Sequence, residues 1–147
     1  MSKPHLIVLK GAPESGKTTA IGHLYKKRKK EKKAGHYFLS NKDESKAVET
    51  RALVYEDCVL IGIVSAGDNI SYIIDHVGRF IDLRCEIIVC ACHPNATHIN
   101  EINRLAQKVA QISWIDKKTA DNQDNERAVK EMKEKIDQII KNFKSKL

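Results

Sequence analysis

No stretch of this 147-residue chain approaches the roughly 20 consecutive apolar residues that a membrane-spanning helix needs. Its longest apolar runs have the length of strands, so no membrane partner is expected. A signal-peptide pattern is lacking too: Met1-Ser2-Lys3-Pro4-His5 leads straight into a strand-like run, and the expected location is cytoplasmic. Cysteine is scarce. Cys58, Cys85, Cys90 and Cys92 are even in number but lie in or near apolar runs without a secretory context. Reduced, buried thiols are expected rather than a disulfide framework. No internal repeat is present. Charged residues make up 31% and hydrophobic ones 41%, ordinary globular values that exclude wholesale disorder. The length suits one domain spanning 1–147.

The net charge of +7 is not spread over the chain. Lys26 to Lys33 reads KKRKKEKK and carries +6, leaving +1 for everything else. Basicity is therefore local, and the overall charge is a weak argument for a nucleic-acid partner. The run could meet a phosphate backbone through counterion release, but it holds no aromatic for base stacking. The alternative is a solvated helix end, where cations suit the dipole.

Hydrophobic periodicity organises the rest. His5–Lys10, Tyr37–Leu39, Cys58–Val64, Glu86–Cys92 and Ile112–Ile115 read as strands, while Lys46–Tyr55 is ambiguous between helix and strand. Helices follow from Ile21, Leu24 and Tyr25, stopping at Ala34-Gly35. Others follow from Ile70 to Ile81, capped by Asp68 or Asn69, and from Ile99 to Val109, capped by Asn95 or Thr97. Asp121–Asn125 reads as a polar linker before a closing helix within 121–147. The strands are apolar throughout and alternate with helices, the pattern of a mostly parallel sheet of about five strands with helices on both faces. Ligands of such α/β sheets bind at the carboxyl ends of the strands.

Gly11-Ala12-Pro13-Glu14-Ser15-Gly16-Lys17-Thr18 meets G-x-x-x-x-G-K-[ST] at every fixed position, after a strand and before a helix. The chain here resembles the P-loop NTPase superfamily, the Walker A proteins, which implies a P-loop NTPase-like three-layer sandwich. Gly11 and Gly16 allow a tight turn whose N–H groups point inward as an anion nest, and the helix start adds its positive end. Lys17 offers a cation to the β- and γ-phosphates and Thr18 a hydroxyl to Mg²⁺. Thr19 falls near the α-phosphate in the family's arrangement. Glu14 is a weaker candidate for the γ-phosphate side.

An acidic residue at the end of a neighbouring strand normally completes such a site. Ser65-Ala66-Gly67-Asp68 follows the apolar strand but departs from the Asp-x-x-Gly of GTPase-like members. Asp68 is the candidate for metal-bound or attacking water, with Gly67 permitting close approach and Ser65 as a metal-side hydroxyl. Helix capping is the competing role for Asp68. Glu56 and Asp57 rank lower, at the strand's far end. Cys90, Cys92, His93 and His98 lack the second ligand pair of zinc modules; core thiols and loop histidines are expected, with His93 close enough to contact a ligand.

No Asn-Lys-x-Asp follows Cys92, and Asn41-Lys42-Asp43-Glu44 comes too early, so ATP is preferred over GTP. No Arg-rich lid is present; only Arg104 lies between Pro94 and Ala110, with Arg79 and Arg84 as conceivable acceptor contacts. Asp116-Lys117-Lys118-Thr119 offers polar groups near the expected base site. The sequence thus points to Mg²⁺ with ATP and a minimal ATPase. A small nucleotide or metabolite kinase is one alternative. The other is a nucleotide-gated module touching nucleic acid through Lys26–Lys33.

Overall fold

The computed structural model describes residues 3–31, 36–38, 50–66 and 68–146, without the side chains of 29–31 and 36–38. The helix stop at Ala34-Gly35, the early part of 46–55, Asn41–Glu44 and Gly67 lie outside the described residues. In chain order the elements are β1 (His5–Lys10), α1 (Lys17–Glu31), β2 (His36–Phe38), β3 (Arg51–Glu56), β4 (Val59–Val64) and α2 (Ile70–Asp82). They continue with β5 (Ile87–Cys92), α3 (Ala96–Asn103), a 3₁₀ turn at Arg104–Gln107, β6 (Gln111–Asp116) and α4 (Asn122–Ser145). Among the described residues no helix is long and apolar enough to cross a membrane.

The six strands form one α/β sheet in the order β2-β3-β4-β5-β1-β6. β4, β5, β1 and β6 run parallel, whereas β3 is antiparallel to both β2 and β4. The sheet is therefore mixed and has one strand more than the sequence suggests. The reason is local. Only Asp57 and Cys58 separate β3 from β4, both with positive φ (52° and 65°). A parallel crossover needs about a dozen residues, so two residues in this conformation can only close a hairpin. Cys58 is consequently an exposed turn residue, while Cys85, Cys90 and Cys92 are free and buried. β3 alternates, with Ala52, Val54 and Glu56 buried and Tyr55 exposed, as suits the margin of a sheet.

Alternation along β1 divides the core between two faces. Ile7 and Leu9 join Ile21 and Leu24 of α1 and Met132 and Ile136 of α4. Leu6 and Val8 join Ile73, Val77 and Phe80 of α2 and Ile102 of α3 on the other face. Gly62 allows α2 to dock closely: a Cβ there would stand 2.5 Å from the Phe80 ring. Asn69 caps α2 by accepting from Tyr72 N–H at 3.2 Å, and Asn95 caps α3 by accepting from His98 N–H at 2.8 Å. The stretch expected as a linker at Asp121–Asn125 is a helix start instead. Asp121 accepts from Asp124 N–H at 2.8 Å, and Asp124 and Asn125 are buried.

The basic run is not uniform. Arg28 lies four residues after Leu24 on the buried stripe of α1 and is 1% exposed. Its guanidinium binds Glu56 at the end of β3 and Asp137 of α4, the latter at 2.7 Å. Burial opposes the charge, and these two carboxylates override it to raise the guanidinium pKa further.

Candidate functional site

Strand order fixes where a ligand can enter. β1 connects through α1 to β2 at one margin of the sheet, whereas its neighbour β5 connects through α3 to β6 on the other side. Adjacent strands whose connections diverge leave a crevice at their carboxyl ends. Gly11 follows one of these strands and His93 the other. The carboxyl ends of β4 and β6 reach the same edge, carrying Ser65 to Asp68 and Lys117 to Ala120.

The loop from Gly11 to Gly16 extends the sheet before turning. Gly11 N–H donates to Cys92 O at 3.1 Å, and Lys117 N–H to Lys10 O at 2.7 Å. A side chain at 11 is excluded, because a Cβ would stand 2.5 Å from Ser15 Oγ and 2.7 Å from Lys117 O. Glu14 (φ 63°) and Gly16 (φ 91°) have left-handed backbones, and a Cβ at 16 would stand 2.8 Å from Asn125 Oδ1. The first N–H of α1 with a backbone acceptor is that of Ala20, to Gly16 O at 2.9 Å. Among the described residues the N–H groups of Gly16, Lys17, Thr18 and Thr19 have none. Ser15 Oγ is buried without a hydrogen-bond partner. Together they form a concave donor set at a helix start, the arrangement that favours an anion.

Lys17 is 5% exposed. Its ammonium donates to Gly11 O at 2.7 Å and Ala12 O at 2.8 Å. Burial lowers its pKa; Asp68 and Cys92 oppose the shift, and Lys117 adds to it. Thr18 is half-buried and Thr19 exposed, as are Ala12, Pro13 and Glu14.

Across the crevice, His93 Nε2 and Asp68 Oδ1 are 2.7 Å apart. Because Asn69 caps α2, the Asp68 carboxylate is left to face His93. The His93 ring stacks on His98, with centroids 4.8 Å apart and planes at 11°. His93 N–H donates to His98 Nδ1 at 3.0 Å, which places the His98 proton on Nε2. Burial, then His93 and Lys17, hold the His98 pKa below its ordinary value. Ser65 is fully buried; its hydroxyl accepts from Thr50 N–H at 2.6 Å, joining β4 to β3.

Other sequence candidates separate. Cys90 and Cys92 belong to the core beneath α2 and α3; burial pushes the Cys92 thiol up to about 11 and Cys90 further. Arg79, paired with Asp75 at 3.3 Å, and Arg84 stand near the end of α2, at the opposite edge of the sheet. Arg104 pairs with Glu101 at 3.1 Å. Asp116 pairs with Lys10 at 3.4 Å. Glu56 is bound to Arg28, and Asp57 lies 3.3 Å from Lys144.

The sequence reading missed a brace beneath the loop. Lys117, 3% exposed, donates to Asp124 Oδ2 at 2.8 Å and to Thr119 O. Asp124 also accepts from the N–H groups of Lys118 and Thr119, at 2.8 and 3.1 Å, and from Arg127. Burial opposes its charge, but these donors hold its carboxyl far below the usual range. The available signal was Asp121-x-x-Asp124, a capping spacing before an apolar periodicity. Compared with known proteins, the chain matches no family model, curated protein or solved structure.

Proposed function

We propose that the chain is a P-loop protein that binds Mg²⁺-ATP on Gly11–Thr19 and hydrolyses or transfers the γ-phosphate, acting as a minimal ATPase. One observation carries this reading: unpartnered N–H groups at Gly16–Thr19 open a 15-residue helix beside a buried lysine held only by carbonyl oxygens. Phosphate oxygens satisfy those donors better than water does, because charge-assisted bonds are roughly twice as strong as neutral ones. Lys17 then exchanges two carbonyls for phosphate. The unpartnered Ser15 hydroxyl suits the same anion. Thr18 would offer its hydroxyl to Mg²⁺ and Asp68 would hold a metal-bound water; the buried Ser65 hydroxyl is the reserve candidate.

In hydrolysis, a water oxygen bonds to the γ-phosphorus while the bond to the β–γ bridging oxygen breaks, releasing ADP and phosphate. Asp68 and His93 are the couple placed to orient that water and take its proton. Catalysis otherwise consists of positioning and charge stabilisation. Water is favoured over a second substrate as acceptor because Arg79 and Arg84 stand at the opposite edge and Arg104 is paired.

Melting temperature tests the site. With Mg²⁺-ATP at about 100 times its dissociation constant, wild type gains roughly 2.7 kcal/mol, several degrees at this size, and Lys17→Ala gains nothing. A larger shift with Mg²⁺-GTP reverses the base preference. No shift with either nucleotide at millimolar concentration refutes the reading. Phosphate release then tests the couple: His93→Gln should lose about 10²-fold in turnover while keeping the ATP shift.

A further inference from the structure

We infer that the groove between α1 and α4 is a sequence-independent binding site for the phosphate backbone of a single nucleic-acid strand. The groove encloses about 600 Å³ and is bordered by His23, Lys26 and Lys27 from α1 and by Glu126, Lys130 and Lys133 from α4. Four lysines thus meet one carboxylate across two helices. Lys26, Lys27 and Lys130 have no carboxylate within salt-bridge distance among the described residues. The arginines of the same helices are matched, Arg28 by Glu56 and Asp137 and Arg127 by Asp124 and Glu131. The groove gathers Lys26, Lys27 and Lys130 from two helices, and converging cations of one sign attract a linear polyanion.

Dimensions favour one strand. Packed helices lie about 8–10 Å apart, which leaves a furrow too narrow for a duplex to enter. Lys130 and Lys133 lie three residues apart on one face of α4 and border the same wall of the groove. Among the described residues no Phe, Tyr or Trp borders the groove, so contacts are chiefly to phosphates and carry no base readout. The exposed large apolar side chains Tyr55, Leu83 and Trp114 do not border it, so it lacks the apolar second anchor that stable membrane adhesion needs.

The test is fluorescence polarisation of the full chain with a labelled mixed-sequence 12-nucleotide RNA and its DNA counterpart, from 50 to 300 mM salt. Wild type binds both, with affinity falling steeply with salt. The Lys26→Ala/Lys130→Ala variant, altered only at exposed positions, keeps its melting temperature, and its salt slope is shallower by about 1.4, or 0.7 for each phosphate no longer neutralised. Lys17→Ala retains full strand affinity, which separates this site from the nucleotide site. An unchanged slope in the double variant overturns the proposal. So does affinity that disappears only when Lys29, Lys30, Lys32 and Lys33 are neutralised, or binding to phosphatidylserine vesicles under conditions that leave the strand unbound.

Discussion

Lys17 and Lys117 are both buried, both flank the loop at 11–16, and are held in opposite ways. Lys117 is bound to the carboxylate of Asp124, which also gathers Arg127 and two backbone N–H groups. Lys17 is bound to two neutral carbonyls. A buried cation with a full counter-charge is fixed in place, because separating the pair strands two charges. A buried cation on neutral carbonyls has no counter-charge to give up, and an anion's charge-assisted bonds are stronger than those it holds. One lysine shapes the cradle, and the other is left to meet what enters it.

Removing one member of the brace should have the largest effect. Lys117→Met leaves Asp124 buried without its ammonium partner and should cost about 3–5 kcal/mol in urea unfolding without nucleotide. Lys17→Ala should change unliganded stability by less than about 1 kcal/mol, its loss appearing only with ATP. If the two variants are equally unstable, the lysines are structural equivalents and the distinction fails.

Gly16→Ala sharpens the comparison from the backbone side. It puts a Cβ against Asn125 Oδ1 at a left-handed position, so about 1–3 kcal/mol of stability should be lost. The ATP shift should fall with it, since cradle and brace meet at this residue. An unaltered melting curve for Gly16→Ala would mean that α4 does not hold the loop.

Acid should separate the two sides of the crevice, with the smallest effect first in pH. His98, His76 and His5 are held below the ordinary imidazole value by burial first, then by nearby positive groups. Their folded-state values lie below the unfolded one, so their contribution is complete above about pH 6.5. It is lost as pH falls through that value toward the folded ones. Asp124 is likewise depressed, and its contribution survives until pH drops below about 4. A shallow decline in melting temperature from pH 7 to 5, flattened by His98→Gln, should precede a steeper one that Asp124→Asn removes. Identical profiles in these variants would refute the assignment.

Much of the parallel part of the sheet is legible, because short, β-branched apolar runs such as Ile87–Cys92 suit strands covered on both faces. The glycine-lysine loop was legible because few residue types tolerate its backbone. The hairpin at Asp57-Cys58 was not: neither residue is the glycine that usually marks such a turn, and Cys58 adjoins an apolar run that absorbs it. Arg28 was hidden by six basic neighbours, although its spacing from Ile21 and Leu24 gives its burial away. The Asp68–His93 contact joins residues 25 positions apart in sequence, and no local pattern records it. Asp124 reads as linker in the sequence because charge reads as solvation unless its partner is known.

The Arg28 cluster has a consequence for how the chain can be divided. α4 meets α1 at two levels: Asn125 packs so closely on Gly16, just before α1, that no Cβ fits there, and Arg28 nearer the other end binds Asp137. The closing helix is thus part of the mould in which the loop sets. A fragment ending after β6 would keep every letter of the glycine-lysine motif and lose the shape that gives those letters meaning.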